Sequence, residues 1–274
     1  MRNVFLACIL VGASLSLASG ADRVLPPAKL SAAEIVDRNV AARGGLQAWR
    51  NVKTLSLSGK MEAGGNQRPT LPVPGHKSGA QMPAPRPAEQ VQLPFEIELM
   101  RPRKMRLELE FNGQTAVQVY DGANGWKLRP FLNRRQVEPF SEEELKAASR
   151  QSDLDGPLID YATKGTQIEV EGMEKVENND AYKLKLTLKD GQVQHVWVDA
   201  RTFLETKIEG SPRRLDGRYH PVVTYLREYR PEGGLMIAHL IETAVQGVQQ
   251  TEKIKIEKVA VNPPLDNSRF AKLQ

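Results

Sequence analysis

The stretch YKLKLTLK, residues 182–189, alternates apolar and polar side chains. Leu184, Leu186 and Leu188 fall on one side of an extended chain and the lysines on the other, because successive side chains of a strand point to opposite faces. The stretch KIKIEKV, residues 253–259, repeats this arrangement with two isoleucines. Both stretches are typical of strands in an antiparallel sheet that has one apolar face and one solvated face.

The same two-residue period covers most of the chain beyond Leu55. Further examples are LSLSGKM, FEIELM, MRLELEF, AVQVYD, IEVEGMEKV, QHVWVDA, FLETKIEG, VVTYLREY and LMIAHLIET. Turn sequences such as DGANG, ENND and KDG separate most of these segments. About eleven short strands at hairpin spacing predict a mainly β fold with a few helices, built on one large antiparallel sheet that is curled or partly closed.

Three helices are predicted beside the sheet. Those over residues 31–43 and 142–150 begin at a serine that is followed three residues later by a glutamate, which is the capping box of a helix N-terminus. The third helix is predicted over residues 157–164, with Asp155 or Gly156 as its cap and a proline in its first turn.

One segment, residues 64–94, breaks the strand pattern. It has no hydrophobic period and is rich in proline and glycine. A segment of this composition has little apolar surface to bury in a core. We therefore predict a long mobile loop inserted between the first two strands.

The N-terminus has the pattern of a secretory signal peptide. Residues 1–20 combine an early arginine, an apolar run too short to span a bilayer, and small residues suited to cleavage. Arg2 is the sole charged residue of this segment, so cleavage lowers the formal net charge by one from +5. Cleavage also removes Cys8, the one cysteine of the chain, and with it disulfide and thiol chemistry. We predict a single exported domain, residues 21–274, located in the periplasm.

The acid-rich stretch SDLDGPLIDYATKG, residues 152–165, is the first candidate for a metal or catalytic site. A calcium-binding EF-hand loop needs glycine at its sixth position and an acid at its twelfth. Counted from Asp153, the glycine comes fourth and the twelfth residue is Lys164. We therefore interpret these acids as serving helix starts, in a segment that covers the sheet.

Other motifs for chemistry are missing from the sequence. The four histidines are scattered, the serine of GHKSG is one place away from that of a nucleophile elbow, and no glycine-rich phosphate loop is present. We predict no catalytic residue, metal site or cofactor, although paired carboxylates for glycoside hydrolysis stay open because sequence gives no distances. Anionic lipid head groups and envelope polysaccharide are available partners for a basic exported protein, and nucleic acid is not, but the charge balance is also that of an ordinary solvated surface with mixed charges, which is the favoured interpretation.

The apolar face of so large a sheet must be covered, and the predicted helices are short. Either the helices and the curvature of the sheet fill the interior, or a cavity stays open for an apolar ligand. If a cavity is open, its predicted lining is Leu55, Leu57, Ile97, Leu99, Leu107, Leu109, Val117, Val119, Leu184, Leu186, Val196, Val198, Ile254 and Ile256.

Several segments resemble those of LolA-type outer-membrane lipoprotein-sorting proteins and related lipoprotein carriers. LMRPRKMRLELEF and AVQVYDGANGWKLRPF resemble the central signature, with an Arg-Pro step before a strand and a later tryptophan strand closed by Pro-Phe. AARGGLQAWRNVKTLSLSGKM resembles the start of such domains, and VNPPLDNSRF resembles their end. The resemblance runs in order from about residue 31 to residue 274.

This resemblance implies an unclosed antiparallel β-barrel of about eleven strands, with a helical lid over its mouth and an interior that holds acyl chains. It also implies that Arg101, the arginine before the proline, latches the lid to the barrel. The residues suit this role, because a guanidinium can bind free carbonyls at a helix end or an acid such as Asp153, Asp155 or Asp160. A solvent-facing arginine in a basic turn is the alternative. The insert 64–94 and a longer C-terminal half depart from the compact carriers.

The resemblance implies a periplasmic, non-enzymatic carrier that binds acyl chains of a lipid or lipoprotein and passes them toward the outer membrane. Its partners would be those acyl chains and membrane-anchored donor or acceptor proteins. An envelope sensor or regulatory interaction domain with the same fold is the alternative. An envelope hydrolase is a third hypothesis, for which the sequence contains no motif.

Overall fold

The structure is a computed structural model that describes residues 30–64, 90–130, 134–215 and 217–273. The predicted signal peptide lies outside the described residues, as does most of the predicted insert. The limits of that insert are corrected at both ends, because residue 64 ends one strand and residues 90–94 begin the next.

Thirteen antiparallel strands form one sheet in the described part of the chain. They are β1 Thr54–Gly64, β2 Gln90–Met100, β3 Lys104–Phe111, β4 Gln114–Tyr120, β5 Gly125–Arg129, β6 Arg134–Pro139, β7 Gln167–Val176, β8 Asn179–Thr187, β9 Val193–Asp199, β10 Glu205–Leu215, β11 Arg218–Glu232, β12 Leu235–Val245 and β13 Glu252–Val261. The predicted class, an unclosed antiparallel barrel with a few helices, is confirmed. The period of two did not predict β5 or β6, although the family resemblance indicated a tryptophan strand where β5 lies.

The strand order explains how the chain crosses the sheet. The order is β6-β5-β4-β3-β2-β1-β13-β12-β11-β10-β9-β8-β7, so β6 and β7 are the two edges. Each strand pairs with the next one along the chain, except that β6 and β7 do not pair, and β1 also pairs with β13. The chain between β6 and β7 must therefore pass from one edge of the sheet to the other. We call residues 140–166 the crossover segment.

Three helices accompany the sheet in the described residues: α1 Ala32–Ala42, α2 Leu46–Asn51 and α3 Glu142–Gln151. The capping boxes predicted for α1 and α3 are both present, with Ser31 paired to Glu34 and Ser141 paired to Glu144. The short helix α2 is not among the predicted helices. It follows Gly44 and Gly45, which turn the chain at φ values of 112° and 92° that favour glycine.

The prediction of a helix over residues 157–164 is wrong, because the chain there forms consecutive turns. Gly156 and Asp160 have positive φ values of 75° and 53°, which a continuous right-handed helix does not allow. Asp155 does not cap a helix either, because its carboxylate binds Arg101 instead.

One face of the sheet packs against all three helices, and we call it the inner face. Its main cluster joins Leu55, Leu99 and Leu235 from the strands to Trp49 of α2 and Ala148 of α3. Val40 of α1 packs against the same cluster. The helices therefore cover the inner face and leave the opposite, outer face to solvent over much of the sheet.

The outer face of β4 is covered by the C-terminal segment that follows β13. Phe270, which is 1% exposed, packs there against Val117 and Val119. Arg269 from the same segment donates a hydrogen bond of 2.7 Å to the buried carboxylate of Glu98. The prediction that Val117 and Val119 line the inner cavity is wrong, because both valines lie on the outer face of β4, where the C-terminal segment buries them.

The C-terminal segment should contribute strongly to stability. Phe270→Ala is expected to lower the free energy of unfolding by about 3 to 5 kcal/mol, because it opens a cavity between this segment and β4. Tyr219→Ala is a matched control, since Tyr219 is 63% exposed and its loss should change stability by less than about 0.5 kcal/mol. Urea unfolding of both variants measures the difference, and equal midpoints would show that the C-terminal segment does not stabilise the sheet.

Candidate functional site

Apart from Val117 and Val119, the predicted cavity residues all lie on the inner face. The register places Leu55, Leu99 and Met105 in one row across β1, β2 and β3, and Leu57 and Ile97 in the next. The remaining predicted residues share this face: Leu107, Leu109, Leu184, Leu186, Val196, Val198, Ile254 and Ile256.

Part of the inner face is closed to solvent. Leu184, Leu186, Val196 and Val198 on β8 and β9 are each 0% exposed. A side chain with no exposed surface does not border a space that water can enter. Over these two strands the interior is therefore filled, and these four residues do not line an open cavity.

A second part of the inner face is partly open. Leu57, Ile97, Leu107, Leu109 and Ile254 are neither buried nor fully exposed, and we call them the apolar strip. They lie on β13, β1, β2 and β3, which are neighbours in the sheet. The strip is continuous with the helix-covered core, because Leu57 and Ile97 pack against that cluster. It is the part of the inner face that offers apolar surface to a ligand.

The crossover segment is tied to both halves of the sheet. At the start of α3, Glu144 pairs with Lys127 of β5. At the end of α3, Arg150 donates hydrogen bonds of 2.7 Å to the side chains of Gln192, between β8 and β9, and Ser211 of β10. Between these anchors, Ala148 is buried in the core. Helix α3 therefore bridges the two halves across the inner face.

Arg101, in the turn between β2 and β3, contacts both the crossover segment and the end of α2. Its guanidinium donates to both carboxylate oxygens of Asp155, with 2.8 Å between Nη1 and Oδ2. It also donates to the carbonyls of Trp49 and Val52 at the end of α2, at 3.0 and 2.7 Å. These are the two kinds of partner that the sequence analysis proposes for Arg101. Its role as a latch stays a prediction.

Asp155 is buried, so its carboxylate needs the charged partner that Arg101 provides. The side chain of Asp155 is 8% exposed, whereas that of Arg101 is 33% exposed. The hydrogen bond to Asp155 raises the pKa of Arg101, and burial opposes that effect. Arg43 of α1 reaches the same residue and donates to the Asp155 carbonyl at 2.9 Å. Asp155 is therefore held by two arginines from different elements.

The other two acids of the stretch also meet basic side chains. Asp160 accepts two hydrogen bonds from Arg50 of α2, at 3.0 and 2.6 Å, and this contact lowers the pKa of Asp160. Asp153 accepts from Lys164 within the same segment and lies 3.9 Å from Arg103. The acid-rich stretch therefore binds basic groups of the protein itself.

A further ion pair crosses the inner face away from α2. Arg213 of β10 donates to both carboxylate oxygens of Glu252 of β13, at 2.6 and 3.0 Å. Two strands, β11 and β12, lie between these partners in the sheet. Glu252 is two residues from Ile254 on the same strand, so the pair borders the apolar strip.

Several residues of this site lack a sequence signal. Arg43, Arg50, Arg150 and Arg213 pair with residues far away in the chain, and only the fold brings them together.

Other types of site are less well supported by the described residues. One cavity of about 450 Å³ lies beside β7 and β8, but charged side chains line most of it, including Glu171, Glu174 and Lys183. In the described ranges, no group of three or more His, Cys, Asp or Glu side chains is placed to hold a metal ion. No helix within those ranges has the length and apolarity needed to cross a bilayer.

Comparison with solved structures finds the same architecture in bacterial proteins. A LolA superfamily protein from Nitrosomonas europaea aligns with a TM-score of 0.54 and 14% identity, over 89% of this chain and 98% of that one. A DUF1329 family protein from Desulfovibrio piger gives 0.55 and 14%, over 86% and 95%. A structure described as an outer-membrane lipoprotein-sorting protein domain, from Vibrio parahaemolyticus, gives 0.52 and 13%, over 87% and 95%.

Sequence comparison adds nothing to this likeness: no protein-family model matches the chain, and no curated protein is significantly similar to it. At such low identity, the structural likeness concerns the fold. The resemblance indicated by the Arg-Pro, Asp-Gly and Trp motifs is thus confirmed at that level, and the chain has the fold of the LolA superfamily.

Proposed function

We propose that this protein is a carrier in the bacterial envelope that binds an acyl chain of a lipid or lipid-anchored protein. The observation that carries the proposal is the apolar strip, a partly exposed apolar surface on the inner face beside the core that the crossover segment covers. The sorting function in the description of the Vibrio parahaemolyticus structure supports the same assignment. The crossover segment would act as the lid.

The energetics of acyl burial favour a carrier with a movable lid. Burial contributes about 0.8 kcal/mol per methylene, so a sixteen-carbon chain could supply on the order of 10 kcal/mol. A carrier that bound at this full strength would not release its cargo to an acceptor. We expect ligand entry to move α3, because Leu57 and Ile97 of the strip pack against the cluster that contains Ala148 of α3, and the work of opening the lid reduces the net affinity.

The proposal includes the location and the type of activity. The predicted signal peptide would export the protein to the periplasm, where acyl chains from the inner membrane must pass through water. No enzymatic activity is proposed, since transfer of a bound chain needs only a gradient of affinity between donor, carrier and acceptor. Membrane-anchored donor and acceptor proteins are the expected partners.

Mass spectrometry of ligands extracted from protein purified out of its native envelope tests this proposal. We expect a lipid or acylated peptide in roughly stoichiometric amount, because an acyl chain in the apolar strip dissociates slowly into water. A protein that carries no acyl compound, yet co-purifies with the ectodomain of a membrane protein, would contradict the carrier and favour a regulatory interaction domain.

A further inference from the structure

The ion pair between Arg213 and Glu252 lies at one end of the apolar strip, next to Ile254. The side chains of Arg213 and Glu252 are 41% and 39% exposed, so solvent reaches both of them. Ile254 follows Glu252 on the same face of β13 and pairs with Met61 of β1. An acyl chain lying on the strip would therefore have charged groups beside one of its ends.

Arg213 has hydrogen-bond donors left for a ligand. Its guanidinium has five N–H groups, and the contact to Glu252 uses one on each terminal nitrogen. Within the described residues, the other three N–H groups, including that on Nε, have no partner. Arg213 can thus bind an anionic oxygen while it keeps Glu252, or can exchange Glu252 for the ligand.

A second arginine keeps this region positive. Arg150, at the end of α3, contacts Ser211, two residues before Arg213 in the chain. Its partners, Ser211 and Gln192, are neutral, and no carboxylate of the described residues pairs with it. Glu252 therefore neutralises one of two neighbouring guanidinium groups, and an anion is favoured over a neutral or cationic head group.

We propose that Arg213, supported by Arg150, binds the anionic head group of an acyl ligand whose chain lies on the apolar strip. This inference rests on the proposed carrier function and names its ligand class, which is an amphiphile with a carboxylate or phosphate head. Planar, bidentate recognition by arginine suits both of these heads. Arg150 also belongs to the crossover segment, so an occupied head-group site links ligand binding to the closed position of the lid.

The test compares ligands that share one chain and differ in head group. The wild-type protein is first loaded with the uncharged fluorescent probe N-phenyl-1-naphthylamine. The affinity of each ligand is then measured from its displacement of the probe, for dodecanoate, dodecyl phosphate, dodecanol and dodecylammonium. We expect the two anions to bind at least about tenfold more tightly than dodecanol, and dodecylammonium to bind most weakly, because a charge-assisted hydrogen bond contributes about that factor. The ratio between the two anions separates a fatty acid from a phospholipid head as the natural source.

Three variants test whether Arg213 is the arginine that binds the anionic head group. Arg213→Gln should remove the preference for anions and leave the affinity for dodecanol unchanged. Arg214→Gln is the matched control, because Arg214 is the next residue on the same strand and is exposed, and it should behave like the wild type. Glu252→Gln should strengthen dodecanoate binding severalfold, because it removes the carboxylate that competes for Arg213. Thermal unfolding confirms that each variant is folded.

The outcomes separate this inference from the proposed function. If all four ligands bind equally to the wild type, or if Arg213→Gln keeps the anion preference, the head-group site is wrong and acyl binding stands. If neither the probe nor any of the ligands binds, the carrier function itself is wrong, and the head-group site with it.

Discussion

Replacing Arg101 by leucine should lower the free energy of unfolding by about 3 kcal/mol, because the carboxylate of Asp155 then stays buried without its charged partner. The carbonyls of Trp49 and Val52 lose a donor at the same time. A solvent-exposed ion pair would contribute only about 0 to 1 kcal/mol. The low exposure of Asp155, which sequence does not reveal, accounts for the larger effect expected here.

The same substitution should accelerate the release of a bound acyl ligand at least about tenfold, because a lid that is less stable by more than 1.4 kcal/mol opens more than ten times as often. Transfer of a labelled acyl ligand from loaded protein to acceptor vesicles measures this rate, and urea unfolding measures the stability. Both effects are expected at a temperature where the variant remains folded.

Two further variants control for the general loss of a positive charge. Arg103→Leu removes a neighbouring arginine that is 48% exposed and lies 3.9 Å from Asp153, and it should change stability by less than about 1 kcal/mol. Arg101→Leu combined with Asp155→Leu should recover much of the lost stability, since no charge is then left buried. If Arg101→Leu and Arg103→Leu behave alike in both measurements, Arg101 is not a latch.

The sheet could be predicted from sequence wherever one face of a strand is solvated. In β8 the lysines face outward and the leucines inward, so the period of two is unmistakable. In β4 the C-terminal segment covers the outer face and buries Val117 and Val119, so the pattern no longer shows which face is inner. A single strand's sequence does not reveal a cover that comes about 150 residues later, as Phe270 does for Val117 and Val119.

The crossover segment shows why local helix signals can fail. Its proline, glycines and acids match the start of a helix, but Asp155 and Asp160 have basic partners elsewhere in the molecule. Arg50 reaches Asp160 and Arg101 reaches Asp155, and these contacts hold the chain in turns with Asp160 at positive φ. Tertiary ion pairs therefore overrode the local propensity.

The candidate site was only partly accessible from sequence for the same reason. Resemblance to lipoprotein-sorting proteins pointed to Arg101, whose position before a proline is a recognisable motif. Arg213 and Glu252 are 39 residues apart and carry no motif, so their pairing appears only when β10 and β13 are placed in one sheet. The position of the helices also determines which apolar residues remain partly exposed. The alternating pattern of a strand does not predict that position.

If an acyl chain lies on the apolar strip, Leu109→Glu should have the largest effect on its binding. Leu109 is partly exposed on the inner face, so the free variant should fold with its carboxylate in water. A bound acyl chain would exclude that water, and the cost of desolvating the charge should weaken binding at least about 100-fold. Leu186→Glu is not suitable, because Leu186 is 0% exposed and a charge there would unfold the sheet.

Leu240→Glu supplies the matched control, with the same chemical change at another partly exposed leucine. Leu240 lies opposite Lys255 and Arg227, on the outer face of β12. The decisive measurement is the affinity of wild type, Leu109→Glu and Leu240→Glu for the uncharged probe and for dodecanoate, with unfolding curves for each. If the acyl chain lies on the apolar strip, Leu109→Glu alone should lose binding while all three proteins remain folded. Equal affinity of Leu109→Glu and the wild type would show that the chain does not lie there.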